Sequence, residues 1–80
     1  MMEKAAIVEK LTHKIAELQK ISPEALDPET QLLESGTIDS YATLELTIFV
    51  EDTFGLPMDE ERLAQLGTIE AIAGHISASA

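Results

Sequence analysis

The sequence predicts an all-α fold: a small four-helix bundle with three main helices, one short one, and a long first loop. Three observations carry this. Apolar residues recur at three- and four-residue steps in the first, middle and last parts of the chain. Gly, Pro, Asp and Thr punctuate the segments between them at positions that start or stop helices. No stretch alternates apolar and polar as a half-buried strand does, and there are no internal repeats or low-complexity tracts. Eighty residues are expected to form a single domain spanning 1–80.

Residues 3–20 read as the first helix, because Ile7, Val8, Leu11, Ile15 and Leu18 form one stripe and charges occupy the other side. "ISPEALDPETQLLESG" follows. Ser22 before Pro23 begins a helix that goes no further than a turn, and Asp27-Pro28 breaks it. So long a connection must be pinned down, and Leu26, Leu32 and Leu33 are the expected pins. The second full helix is expected from Asp39 or Ser40 to about Phe54, stopped by Gly55 and Pro57. Asp59 caps a short third helix with Glu60 and Glu61 in its first turn, Leu63 and Leu66 inward, and Gly67 at its end. Thr68 caps a fourth, in which Ile69, Ile72, Ala73 and Ile76 face the core. The closing "SASA" is expected to fray.

Composition excludes several functions. Fifteen acids stand against five Lys/Arg, for a net charge of −10. A chain that binds a phosphate backbone needs a cationic footprint, so no nucleic acid is expected. Lys4, Lys10, Lys14 and Lys20 lie in the first twenty residues, and beyond them only Arg62 is basic. Without cysteine there is no disulfide, thiolate nucleophile or sulfur metal site. Asp59, Glu60 and Glu61 lack the spacing of a calcium loop, so no metal is expected. No apolar stretch approaches membrane-spanning length, and "MMEKAAIVEK" lacks the apolar core of a signal peptide. The expectation is a cytoplasmic monomer with no membrane partner.

The second helix has more apolar positions than one buried face requires. Ala42, Thr43, Leu46, Phe49, Val50 and Phe54 form a broad stripe suited to a core. Tyr41, Leu44 and Ile48 lie on the other side, interleaved with Glu45, Glu51 and Asp52. A helix buried nearly all round would explain both stripes, but unpaired carboxylates are almost never buried and bases are scarce here. The alternative is an exposed apolar stripe with a charged rim, made for a partner's groove.

Ser40 admits three readings. It can be an N-cap, yet Asp39 beside it caps equally well, so the pair is redundant for capping. It can be a nucleophile, but that needs a base within reach and a means of stabilising an oxyanion. His13 and His75 are far off in sequence, and an adjacent carboxylate disfavours an oxyanion. It can be a hydroxyl that another enzyme modifies, since an anion attached there would sit where backbone N–H groups and the helix dipole favour it.

At "SGTIDSYATLELTIFVEDTFGLPM" the chain resembles the modification-site segment of acyl and peptidyl carrier proteins. "LEL", "EDTFG" and "GTIEAIAGHI" follow at the family's spacing, and the likeness extends over nearly the whole chain. The resemblance implies a four-helix carrier fold and no catalytic residues. It makes Ser40 the attachment site of covalent 4′-phosphopantetheine and Asp39 a recognition residue for the phosphopantetheinyl transferase. Tyr41, Leu44, Glu45, Ile48, Glu51 and Asp52 would dock successive partners, namely acyl- or aminoacyl-activating ligases and downstream synthases or transferases. Tyr41 stands where the family usually has Leu. The implied role is a free-standing carrier of thioester-bound cargo in fatty acid, polyketide, nonribosomal peptide or related biosynthesis. "GTIDS" resembles, more weakly, aminoacyl carriers such as the D-alanyl type, served by adenylating ligases. Two other classes predict different behaviour: an unmodified helical interaction module, and a serine enzyme active by itself.

Overall fold

Three of the four helices begin on a side-chain cap that the sequence supplies. The computed structural model describes residues 3–79, and among them the helices are α1 (Lys4–Gln19), α2 (Ser40–Phe54), α3 (Glu60–Leu66) and α4 (Ile69–Ser79), with a 3-10 turn at Pro23–Ala25. Asp39 Oδ1 accepts the Ala42 N–H at 2.9 Å, Asp59 Oδ1 accepts that of Arg62 at 2.7 Å, and Thr68 Oγ1 accepts that of Ala71 at 3.0 Å. Each such cap contributes about 1 kcal/mol by satisfying an otherwise unpaired donor. In the 3-10 turn, the Ser22 hydroxyl donates to Glu24, which holds that carboxyl below its ordinary range.

The end of α1 has no glycine to signal it. Lys20 takes the left-handed conformation at φ 57°, its N–H reaches Glu17 O, and the Ile21 N–H reaches Ala16 O at 3.0 Å. That is the Schellman pattern, with a lysine where glycine normally relieves the Cβ strain. Lys20→Gly is therefore expected to stabilise the chain by about 0.5–1 kcal/mol, read as a higher urea midpoint at unchanged slope.

The core lies between α1 and α4, with α2 laid against them. Ile7, Leu11 and Ile15 meet Ile69, Ile72, Ala73 and Ile76, and Ala42, Leu46 and Val50 close the third side. Phe49 and Phe54 are half-buried against this cluster and meet edge to face, with centroids 6.1 Å apart. α3 contributes only Leu63 as a fully buried residue.

Two expectations need correction. Leu32 is buried and Leu26 half-buried, but Leu33 is 40% exposed and pins nothing. Leu32 takes the core position, and Leu33 turns to the surface instead. The chain's end does not fray where expected: α4 continues through Ser79, and Ala80 lies outside the described residues. No Gly or Pro follows His75 to stop it.

The loop from Lys20 to Asp39 is held mainly by its backbone. Pro28 O accepts the Glu70 N–H at 3.0 Å, Gly67 O accepts that of Leu32 at 2.8 Å, and Leu32 O accepts that of Ile38 at 3.1 Å. Gln19 Nε2 adds a bond to Thr37 O.

Charge pairing is sparse. Among the described residues the ion pairs are Lys4–Glu70 at 2.5 Å and Lys14–Glu17 at 3.1 Å, both at the surface. Most of the fifteen carboxylates therefore repel one another, which opposes the folded state. Salt should screen that repulsion: raising NaCl from low ionic strength to about 0.5 M is expected to lift Tm by about 5 °C, corresponding to about 1 kcal/mol. A flat or falling Tm in calorimetry would mean that the acids are better paired than their geometry shows.

Candidate functional site

The site is built where the loop hands over to α2. Ile38 is buried, which anchors the chain immediately before the helix. Asp39 occupies the cap and has extended backbone geometry. Ser40 is the first residue of α2 and lies exposed, outside the cap, because Asp39 rather than Ser40 receives the Ala42 N–H. The Asp39 main-chain oxygen also accepts both the N–H and the hydroxyl of Thr43, each at 2.9 Å. The serine is thus mounted on a rigid first turn while its own hydroxyl is not committed to that turn.

Beside Ser40 lies an open depression of about 320 Å³ lined by Leu33, Thr43, Glu60, Glu61 and Ala64. Neither histidine lines it. His13 borders a crevice between α1 and Phe49, whereas His75 borders one with Glu51, Asp59 and Arg62. No imidazole borders the Ser40 depression; its titratable neighbours there are the carboxylates of Glu60 and Glu61.

On α2, the second apolar stripe faces solvent. Tyr41 is 67% exposed, Leu44 46% and Ile48 47%. Asp52 is exposed beside them and Glu45 is half-buried. Glu51 is exposed too, but its Oε2 accepts the Met58 N–H at 3.1 Å and so braces the α2–α3 connection. Its substitution would mix a surface change with a local structural one.

Sequence reasoning missed Leu33 and Ala64 as neighbours of Ser40, and read Glu60 and Glu61 only as a helix start. Their approach to the serine is set by how α3 lies across α2, which no local signal reports. The Leu32-Leu33 pair was the available clue, since burying one of two neighbours leaves the other free for the surface.

The site thus combines a cap committed to Asp39, an exposed serine at the helix start and an apolar stripe edged with acids. Comparison with known proteins gives the class. The family model for a phosphopantetheine attachment site matches residues 9–76, and the chain belongs to that family. It is 28% identical over 76 residues to the acyl carrier protein of Thermosynechococcus vestitus, covering 95% of this chain and 94% of that one. It is 30% identical over 70 residues to the meromycolate extension acyl carrier protein of Mycolicibacterium aurum, covering 88% of this chain and 72% of that one. The fold matches a free-standing peptidyl carrier protein from an Acinetobacter baumannii secondary metabolic pathway with a TM-score of 0.89 and 25% identity, over 96% of this chain and 95% of that one.

The protein is a carrier of acyl or peptidyl carrier type, and its cofactor is covalent 4′-phosphopantetheine. Carriers of this family are generally non-catalytic, are modified by a phosphopantetheinyl transferase, and work with synthase and ligase enzymes. Among the described residues no helix is long and apolar enough to cross a membrane.

Proposed function

We propose that Ser40 is the residue that receives phosphopantetheine, and that the chain is a free-standing cytoplasmic carrier of acyl or aminoacyl cargo in fatty acid, polyketide, nonribosomal peptide or related biosynthesis. The observation that carries this is the division of labour between neighbours: Asp39 caps α2, which leaves the Ser40 hydroxyl exposed at the helix start. The residues present fit the group. A phosphodiester on Ser40 lies at the positive end of a fifteen-residue helix, where anions are favoured. Tyr41, Leu44 and Ile48 supply apolar contact to a docking enzyme, and Glu45, Glu51 and Asp52 steer one with a basic rim. Asp39 is the flanking residue a transferase reads.

When bound, the group supplies a terminal thiol that holds cargo as a thioester. The chain's own residues do no bond-making on that cargo; they fix where the tether starts and which surfaces approach it. A dedicated aminoacyl carrier loaded by an adenylating ligase is a second reading. The fold match to a free-standing peptidyl carrier favours it.

Intact-mass measurement after incubation with coenzyme A and a broad-specificity transferase tests the assignment. A single phosphopantetheine added, with fragmentation placing it on Ser40, is the expected result. A chain that stays at its bare mass, or carries the group elsewhere, overturns it.

A further inference from the structure

The corner between α3 and α4 is tied to the start of α2 by an unbroken run of main-chain contacts. Gly67, buried at that corner, accepts the Leu32 N–H at 2.8 Å, and Leu32 in turn accepts the Ile38 N–H at 3.1 Å. Leu32 and Ile38 are only 2% and 3% exposed, so both ends of this short span are also fixed by burial. Ile38 leads directly into Asp39, the cap of α2, and so to Ser40.

Glycine is required at the far end of this run. Residue 67 has φ 81°, and a Cβ there would come within 2.3 Å of Gln31 Oε1. That atom is the far end of an exposed side chain that can swing aside, so the constraint is the backbone: an L-residue is strained at φ 81°, and relieving the strain turns the peptide whose oxygen holds the Leu32 N–H. Glu70 N–H to Pro28 O fastens the same limb of the loop a few residues earlier.

We propose that Gly67 and Leu32 are positioning residues for Ser40: a strut from the α3–α4 corner that fixes how the serine is presented to the modifying enzyme. This rests on Ser40 as the attachment site. The strut also gives α3 a second connection to the serine. Glu60, Glu61 and Ala64 of α3 border the depression at Ser40, while the glycine at the helix's other end holds the loop. α3 is anchored in the core by Leu63 alone as a fully buried residue. An enzyme that shifts α3 as it docks therefore moves both the wall beside the hydroxyl and the loop that leads into it.

The test compares wild type, Gly67→Ala and Gln31→Ala/Gly67→Ala by residue-resolved amide hydrogen exchange and by kcat/KM for transfer from coenzyme A. In the wild type, the Leu32 and Ile38 amides should be protected although they lie in an irregular loop; solvent-like exchange there overturns the strut whatever the variants do. Gly67→Ala is expected to speed exchange at Leu32, Ile38 and Ala42 about tenfold while Leu11 and Ile72 keep their protection. It should lower kcat/KM about fivefold at a temperature where circular dichroism shows the chain folded. Removing the Gln31 side chain in the double variant leaves the strained φ in place, so it should exchange and load like Gly67→Ala; recovery to wild-type behaviour would mean that the side-chain overlap alone carried the effect, and overturns the strut. Acceleration spread evenly over all amides marks simple destabilisation and overturns the positioning role, as does a folded Gly67→Ala with wild-type kcat/KM. A wild type that takes no pantetheine overturns the Ser40 assignment, and the exchange pattern then still judges the strut alone.

Discussion

Ser40→Ala is expected to keep its fold and lose its phosphopantetheine adduct completely. The fold should survive because the hydroxyl is exposed and belongs to no cap; the cap of α2 is Asp39, whose bond to the Ala42 N–H is untouched. Alanine is also the best helix former, so the change at the first position of α2 should alter stability by less than about 0.5 kcal/mol. The adduct should vanish because no other hydroxyl at that place is free: Asp39 is a carboxylate, Tyr41 a phenol on another face, and the Thr43 hydroxyl is buried and donated to Asp39 O. Far-UV circular dichroism and intact mass, on the same sample with coenzyme A and transferase, check both halves. A variant that unfolds would show that Ser40 is structural, and one that still gains the full mass would move the attachment elsewhere.

Charge reversal on the exposed face of α2 should have the next largest effect. Glu45→Lys and Asp52→Lys each put a cation into a field that attracts a basic partner, and each should slow association several-fold, up to about tenfold, at low salt. The dissociation rate should change much less, because rim charges act on encounter rather than on the docked contact. The difference should shrink as salt is raised, since the Debye length falls to about 10 Å at 0.1 M. Stopped-flow loading by a cognate ligase or transferase at two ionic strengths reads this directly. If both variants load at the wild-type rate in low salt, partners do not approach along this face. Asp52 is the cleaner probe, because Glu45 is half-buried; Glu51 is the poorest, because its carboxylate also holds the Met58 N–H.

Much of this was legible in the sequence, for local reasons. Asp39, Asp59 and Thr68 announce α2, α3 and α4 because a short polar side chain placed just before an apolar period does one physical thing, satisfying an amide the helix leaves bare. Gly55 and Gly67 end α2 and α3 for the complementary reason, through positive φ. Tyr41, Leu44 and Ile48 could be read as exposed from the carboxylates between them, since too few bases exist to neutralise those acids inside a core. The family resemblance at "SGTIDSYATLELTIFVEDTFGLPM" pointed to the class that the family match shows.

What escaped the sequence depends on distant partners. The end of α1 falls within one residue of the expected one, but the left-handed conformation of Lys20 there had no glycine to announce it. Leu33 could not be told from Leu32 without a period to orient them. The end of α4 had no stop signal to read. The bonds of Leu32 to Gly67 and of Glu70 to Pro28 join segments more than thirty residues apart through main-chain N–H and C=O groups, which say little about residue type: all residues supply the carbonyl and all but proline the N–H. For the same reason the neighbours of Ser40 on α3 were invisible.

The bare ridge formed by Tyr41, Leu44 and Ile48 has a consequence for the isolated molecule. At neutral pH a net charge of −10 keeps copies apart, so three oily side chains can stand in water without sticking. Near the calculated isoelectric point of 4.3 that shield is gone and the ridge becomes adhesive. Mild acid should therefore cloud a concentrated solution, and the face proposed to receive other proteins in neutral solution would then be the one that glues identical molecules together.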